Sequence, residues 1–264
     1  MTALDGGATG AFFRALGPAV RRLGPPQAIA VLSAHTLARS FTLWSAAQHS
    51  AVYDFGGFDP RLRTLRHDVP GAPHWVDAVS RALEDAGFGV DVAPLSGLDH
   101  GMWTPLRHAL PEADIPVLPL AWNPRLSPAE LWRAGQALAP LSGQGLWLVA
   151  SGSITHNLQL FMTRQPPVDA PEFPESLAFR QWWQSRSLAG DWPALWDYRR
   201  QAPHAVAMHP TDEHLLPWFV AAGAGGEAHP GLRLHEGVQH GLIGMDAYAF
   251  GPHAPALAAG LAAA

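Results

Sequence analysis

The sequence predicts an α/β fold, a sheet with helices on both faces, and three observations carry that prediction. Short apolar runs alternate with helix-patterned stretches along most of the chain. Two of those runs, AIAVLSA (28–34) and GLWLVAS (145–151), are apolar almost without a break, the pattern of strands buried inside a sheet. The chain has 264 residues, 48% of them hydrophobic, which is enough to bury a substantial core.

Residues 8–24 have helical spacing, with Phe12, Leu16, Val20 and Leu23 on one side and Gly24-Pro25 as the stop. The strand at 28–34 comes next, and FTLWSA (41–46) is its predicted neighbour. Residues 49–62, HSAVYDFGGFDPRL, are rich in glycine and aromatics and read as a loop. An amphipathic helix over 73–87 closes on Gly87, and VDVAP (90–94) is a short strand. GLDHGMWTPL (97–106) leads from loop into helix, and IPVLPLAW (115–122) is a strand. The helix over 127–141 has the clearest start: Ser127 as N-cap, Pro128 in the first turn and Glu130 completing a capping box. After the strand at 145–151 come helical patterns near 172–188, 191–199 and 212–222, then strands near 231–235 and 241–249. The Pro-rich stretch 161–175 is expected to be a long surface loop.

Composition excludes several classes of function. The net charge of −5, without a basic stripe, argues against a nucleic-acid partner. No stretch approaches the roughly 20 uncharged apolar residues of a membrane helix. The start, MTALDGGATG, has no basic segment followed by an apolar one, so it does not read as a signal peptide, and a cytoplasmic location is expected. With no cysteine, any metal site must use histidine or carboxylate.

The histidines are the chemical signal, fourteen of them against seventeen Lys plus Arg. Open α/β sheets bind ligands beyond the carboxyl ends of their strands. The strand at 28–34 runs into His35, and the strand at 145–151 runs through Gly152 to His156. If the two strands are parallel, both histidines lie on one sheet edge. A single histidine there is as readily a structural strand end as a ligand, but a pair favours function. Ser151, Ser153, Thr155 and Asn157 offer partners to orient an imidazole. In HPTDEHLLPWF (209–219), Thr211 can cap a helix and place His214 in its first turn, with Asp212 or Glu213 as an acceptor behind the ring. His100, in the turn GLDHGMW, is a fourth candidate. No HExxH, GxSxG or Walker A pattern is present. Spacing alone therefore reaches a histidine-rich site on an α/β sheet and goes no further.

Taken together, VLSAH (31–35), YDFGGF (53–58), GLDHGMWTPL (97–106), ADIPVL (113–118), ASGSITHNL (150–158) and HPTDEHLLP (209–217) carry a resemblance. In this order they resemble the class III extradiol ring-cleavage dioxygenases, DOPA 4,5-dioxygenase type, of the LigB-like superfamily. The likeness runs from residue 1 to about 250. It implies one catalytic domain over 1–264, with a central mixed sheet flanked by helices. It implies non-haem Fe(II), with Zn(II) as the alternative, and a small-molecule catechol and O₂ as partners of a monomer or homodimer. By the same resemblance His35 and His214 are metal ligands and His156 is the acid/base residue. His100 is a further catalytic histidine, and Asp54, Phe55 and Asp99 bind substrate. Thr36 and Val69 depart from the family pattern at positions expected to line or flank the pocket.

The family carries a third ligand in an H-G-S-P segment at the end of its first strand. MTALDGGATGAFFRALG aligns with the family residues immediately after that segment, so the chain is expected to lack the family's first strand, with a misassigned start favoured as the reason. Weak metal binding is then expected unless His100 or another histidine substitutes. The alternatives are a zinc-dependent hydrolase on the same histidines and a catalytically degenerate binding protein.

Overall fold

Both faces of the strand AIAVLS are apolar, and it lies inside the sheet with a strand on either side. In the computed structural model, which describes residue 4, residues 6–56 and residues 59–263, all six of its residues are buried. The chain runs through α1 (Gly7–Leu23), β1 (Ala28–Ser33) and β2 (Phe41–Trp44). Two short strands, β3 (Gln48–His49) and β4 (Val69–Pro70), pair with each other around the loop between them. Then come α2 (Val76–Asp85), β5 (Val90–Ala93), α3 (His100–Ala109), β6 (Val117–Ala121), α4 (Pro128–Ser142) and β7 (Leu146–Ser151). The remainder holds α5 (Leu158–Arg164), α6 (Pro174–Ala189), α7 (Trp192–Trp196), α8 (Tyr198–Gln201), α9 (Ala205–Met208) and α10 (Pro217–Gly225). Four short strands and a last helix complete the chain: β8 (Leu232–His235), β9 (Val238–Gln239), β10 (Ile243–Gly244), β11 (Ala247–Ala249) and α11 (Ala254–Ala262).

The main sheet has the order β5-β2-β6-β1-β7. Its pairs are parallel except β2 with β6, so the sheet is mixed, as expected. Along β1, Ala28, Ala30 and Leu32 enter one core cluster and Ile29 and Val31 the other, the two-residue period of a strand. One face is covered by α2, α4 and α10 through Val79, Leu83, Leu131, Leu138, Phe219 and Val220. The opposite face is covered by α3 through Met102, Trp103 and Leu106. Each such large apolar side chain contributes about 1.5–3 kcal/mol by leaving water.

Helix α4 starts as predicted. The Ser127 hydroxyl accepts from the Glu130 amide at 3.3 Å, and the Glu130 carboxylate accepts from the Ser127 amide at 2.8 Å. The helix then crosses α10 at very short range. A Cβ on Gly135 would meet the Val220 carbonyl oxygen, and one on Gly223 the Trp132 carbonyl oxygen, inside van der Waals contact.

Four expectations are corrected. The stretch 161–175 is not all loop: α5 extends to Arg164, because the Asn157 side chain caps it, accepting from the Leu160 amide at 2.7 Å. The helical pattern at 191–199 divides into α7 and α8 at Asp197. The pattern at 212–222 becomes a helix only at Pro217, which lacks an amide donor and is accommodated in the first turn. His214 therefore lies in the turn before α10 rather than on a helix. The strand expected over 241–249 is two short strands in separate hairpins.

Strand β7 has β1 as its only sheet neighbour among the described residues. Its outer edge faces a cavity, and all six of its residues contribute to the lining.

Candidate metal and substrate site

Strands β1 and β7 are parallel and in register from Ala28↔Leu146 to Ser33↔Ser151, so their carboxyl ends stop side by side. His35 comes two residues after β1 and His156 five residues after β7, which brings both to one rim. His100 opens α3 at the same place, and the turn before α10 supplies His214. The four rings form a continuous group. The ring centroids of His35 and His100 are 4.1 Å apart, those of His35 and His214 5.0 Å, and His156 stacks on His214 at 3.5 Å.

The His214 turn is clamped to the end of β7. The Ser153 amide donates to the His214 carbonyl at 2.7 Å, and a Cβ on Gly152 would strike that same carbonyl. Glycine at position 152 is thus needed for close approach, beyond the turning role read from the sequence.

Two of the rings are oriented by carboxylates. Asp54 Oδ1 lies 2.9 Å from His100 Nδ1 and accepts from the His100 amide at 3.1 Å. Burial raises the Asp54 pKa, but the hydrogen bond and charge of His100 outweigh it and hold the group below the usual carboxylate range. Glu213 Oε1 lies 3.2 Å from His214 Nδ1, and that bond, against the opposing effect of burial, lowers Glu213 to about 2. An ionised carboxylate only accepts, so Nδ1 is the donor in both rings and Nε2 is the atom turned away from the carboxylate, the orientation found behind metal-ligating histidines.

His35 and His156 have no side-chain hydrogen bond among the described residues, so their rings are held by packing. Burial, reinforced by His100 and His214, lowers His35 to about 4. Burial, then His214 and His209, lowers His156 to about 3. Both are neutral at pH 7, the state needed to ligate a cation or accept a proton.

A second donor set is Asp54, Asp99 and His100, whose ligand atoms lie within 4.8 Å of one another. Asp99 is buried and bonded to both β1 and α3. Its Oδ1 accepts from Ser33 Oγ at 2.7 Å, the Gly101 amide at 2.7 Å and the Met102 amide at 3.3 Å, and its Oδ2 accepts from Thr36 Oγ1 at 2.5 Å. The imidazoles of His35, His100 and His214 converge at the same rim, although among the described residues only the ligand atoms of Asp54, Asp99 and His100 lie that close together.

The structure redistributes the residues expected to bind substrate. Asp54 and Phe55 touch His100, the latter edge-on at 5.8 Å, and lie behind it. Asp99 is buried between β1 and α3. Thr36 bonds to Asp99, and Val69 is buried in β4, so neither lines the cavity. The groups expected to orient an imidazole do other work: Ser153 bonds to the Thr155 and Gly244 carbonyls, Thr155 to Ser176, and Asn157 caps α5. Sequence reading did single out Glu213, but it missed Ser33 as a partner of Asp99 and His209 beneath the site. His209 is fully buried, with Nε2 2.8 Å from the Ile154 carbonyl.

The cavity beside the histidines has a volume of about 760 Å³. It runs along β7, with Phe12, Leu16, Trp147, Tyr248 and Phe250 among its walls. No arginine stands among the described lining residues, and the chain contains no lysine.

Comparison with known proteins agrees with this architecture. Residues 4–251 match the family described as the catalytic LigB subunit of aromatic ring-opening dioxygenase. The 4,5-DOPA dioxygenase extradiol of Beta vulgaris is 34% identical over 226 residues, covering 85% of this chain and 83% of that protein. The protein of the same name from Escherichia coli K12 is 30% identical, over 83% of this chain and 80% of its own. A crystal structure of an uncharacterized protein from Escherichia coli K12 superposes with a TM-score of 0.70 at 26% identity, covering 89% of this chain and 90% of that one. A parallel-strand rim carrying four convergent histidines, in a chain matched over nearly its whole length, belongs to the LigB family of aromatic ring-opening dioxygenases.

Proposed function

We propose that this protein opens the ring of a catechol-type, DOPA-like substrate with O₂ at a non-haem metal, the whole chain serving as one catalytic domain. The observation that supports the reading most is the convergence of four imidazoles at the ends of β1 and β7, two of them oriented by carboxylates. His35 and His214 are the metal ligands, and His100, beside His35, takes the third donor position. When bound, Fe(II) supplies the redox centre through which the electron density of a catecholate reaches O₂, a capacity Zn(II) lacks.

The remaining steps belong to the chain. His156 is neutral at pH 7 and lies against His214, so it can take a proton from a catechol hydroxyl at a ring nitrogen and return it as the ring opens. The apolar walls formed by Trp147, Tyr248 and Phe250 hold the aromatic ring and limit water around the histidines.

The test is oxygen uptake after mixing the Fe(II)-loaded protein with catechol or DOPA, together with the appearance of a yellow semialdehyde. His156→Gln is expected to lower kcat by roughly 10²–10⁴, with little change in KM. Bound Fe(II) without oxygen uptake on any catechol would refute the reading. Turnover of an ester or amide by the Zn(II) form would favour the hydrolase alternative.

A further inference from the structure

We propose that Asp99 is a positioning residue, setting the spacing between His35 and His100 by tying the end of β1 to the start of α3. The carboxylate is only 7% exposed and collects four donors. Two of them, the Gly101 amide and the Met102 amide, which the carboxylate shares with the Asp99 backbone carbonyl, belong to the first turn of α3, the helix that begins with His100. The other two, the Ser33 and Thr36 hydroxyls, bracket His35 in the chain.

The connection to His35 is direct. Ser33 Oγ donates to Asp99 Oδ1, which turns its lone pairs to the His35 amide, and that amide donates to it at 3.2 Å. The relay runs from the His35 backbone through one hydroxyl to the carboxylate that caps the His100 helix. The junction is also closely packed. A Cβ on Gly101 would overlap Ser33 Oγ and lie 3.3 Å from the His35 ring, so the two elements have no slack between them. Oδ1 alone takes three of the four donors, so the carboxylate is committed chiefly to the junction of β1 and α3.

Asparagine separates hydrogen bonding from charge. The amide oxygen of Asp99→Asn can still accept from the α3 amides and Ser33, while its amino group can donate to the Thr36 hydroxyl. Alanine can do neither. The readouts are Co(II) affinity by competition with a chromogenic chelator and the imidazole NMR signals of the metal-free protein. The first rests on the metal-site reading above; the second does not.

Asp99→Ala is expected to weaken Co(II) binding by about 10–100-fold, the usual effect of losing a partner behind a metal ligand. It should also shift the His35 and His100 signals while His209 holds. Asp99→Asn should stay near wild type in both. Ser33→Ala, which leaves the α3 cap in place, should shift His35 alone, and it carries the test if Asp99→Ala does not fold. The proposal is overturned if Asp99→Asn is as damaging as Asp99→Ala, which would make the charge itself the ligand. It is equally overturned if Ser33→Ala leaves the His35 signals in place. If the wild-type protein takes up no Co(II), the metal-site reading falls and the imidazole signals alone decide on Asp99.

Discussion

His67, His156 and His209 sit where a charged imidazole is costly. Burial lowers His67 and His209 to about 4 and His156 to about 3, from 6.5. In the unfolded chain each takes up a proton near pH 6.5; in the folded, metal-free protein none does until about pH 4 or below. Between those values the unfolded state binds more protons, so stability falls as pH drops from about 6.5 toward 4 and is flat with respect to these groups above about pH 7. Urea midpoints of the metal-free protein at about pH 7.5 and about pH 5 test this, and equal midpoints would refute it. At this scale the sequence singled out His35 and His156, because each follows an apolar run, and the structure brings both to one rim. It could not show what Asp99 does, since its partner Ser33 is 66 residues away and the bond exists only once β1 and α3 meet.

Elements with local causes were readable from the sequence. The capping box of α4 needs only residues three apart, and Ser127 and Glu130 form it as expected. Ser127→Ala is expected to cost about 1 kcal/mol in stability, measured by chemical denaturation, and to leave oxygen uptake unchanged. The turn holding His214 was less legible. Thr211 looked like a cap, yet Pro217 decided where the helix starts, and Gly152 and Ser153 of another segment fix the turn before it. The split of the pattern at 241–249 has the same origin: β10 pairs with β9 and β11 with β8, and that choice is made by partners rather than by apolar spacing.

Across the whole molecule, a buried ion cluster ties the C-terminal strands to the body of the protein. Arg180 of α6 bonds to Glu172 at 2.7 Å and to Asp246 at 2.6 Å, with its side chain 3% exposed and that of Asp246 1% exposed. Arg180→Ala removes the cation and leaves two carboxylates, of which Asp246 keeps only Arg233 at 3.4 Å. A loss of about 3–5 kcal/mol is expected from urea denaturation, and a loss under about 1 kcal/mol would show that the cluster is not holding these segments. The same segments close the cavity along β7, since Tyr248 and Phe250 form part of its wall. The cluster therefore bears on the shape of that cavity as well as on stability.

The sequence by itself determined the α/β class, most of the elements of the main sheet and the four histidines, because strand and helix periodicity, caps and strand-end residues are properties of neighbouring positions. The six ordered motifs also carried the family resemblance that the comparisons bear out. Only the tertiary structure decided that β1 and β7 are parallel neighbours, and with that pairing two unrelated strand ends become one site. It also decided that Asp54 and Glu213 orient rings, that Asp99 joins two elements, and that β7 faces a cavity on its outer edge. Those outcomes depend on distances between residues far apart in the chain, which sequence spacing does not encode.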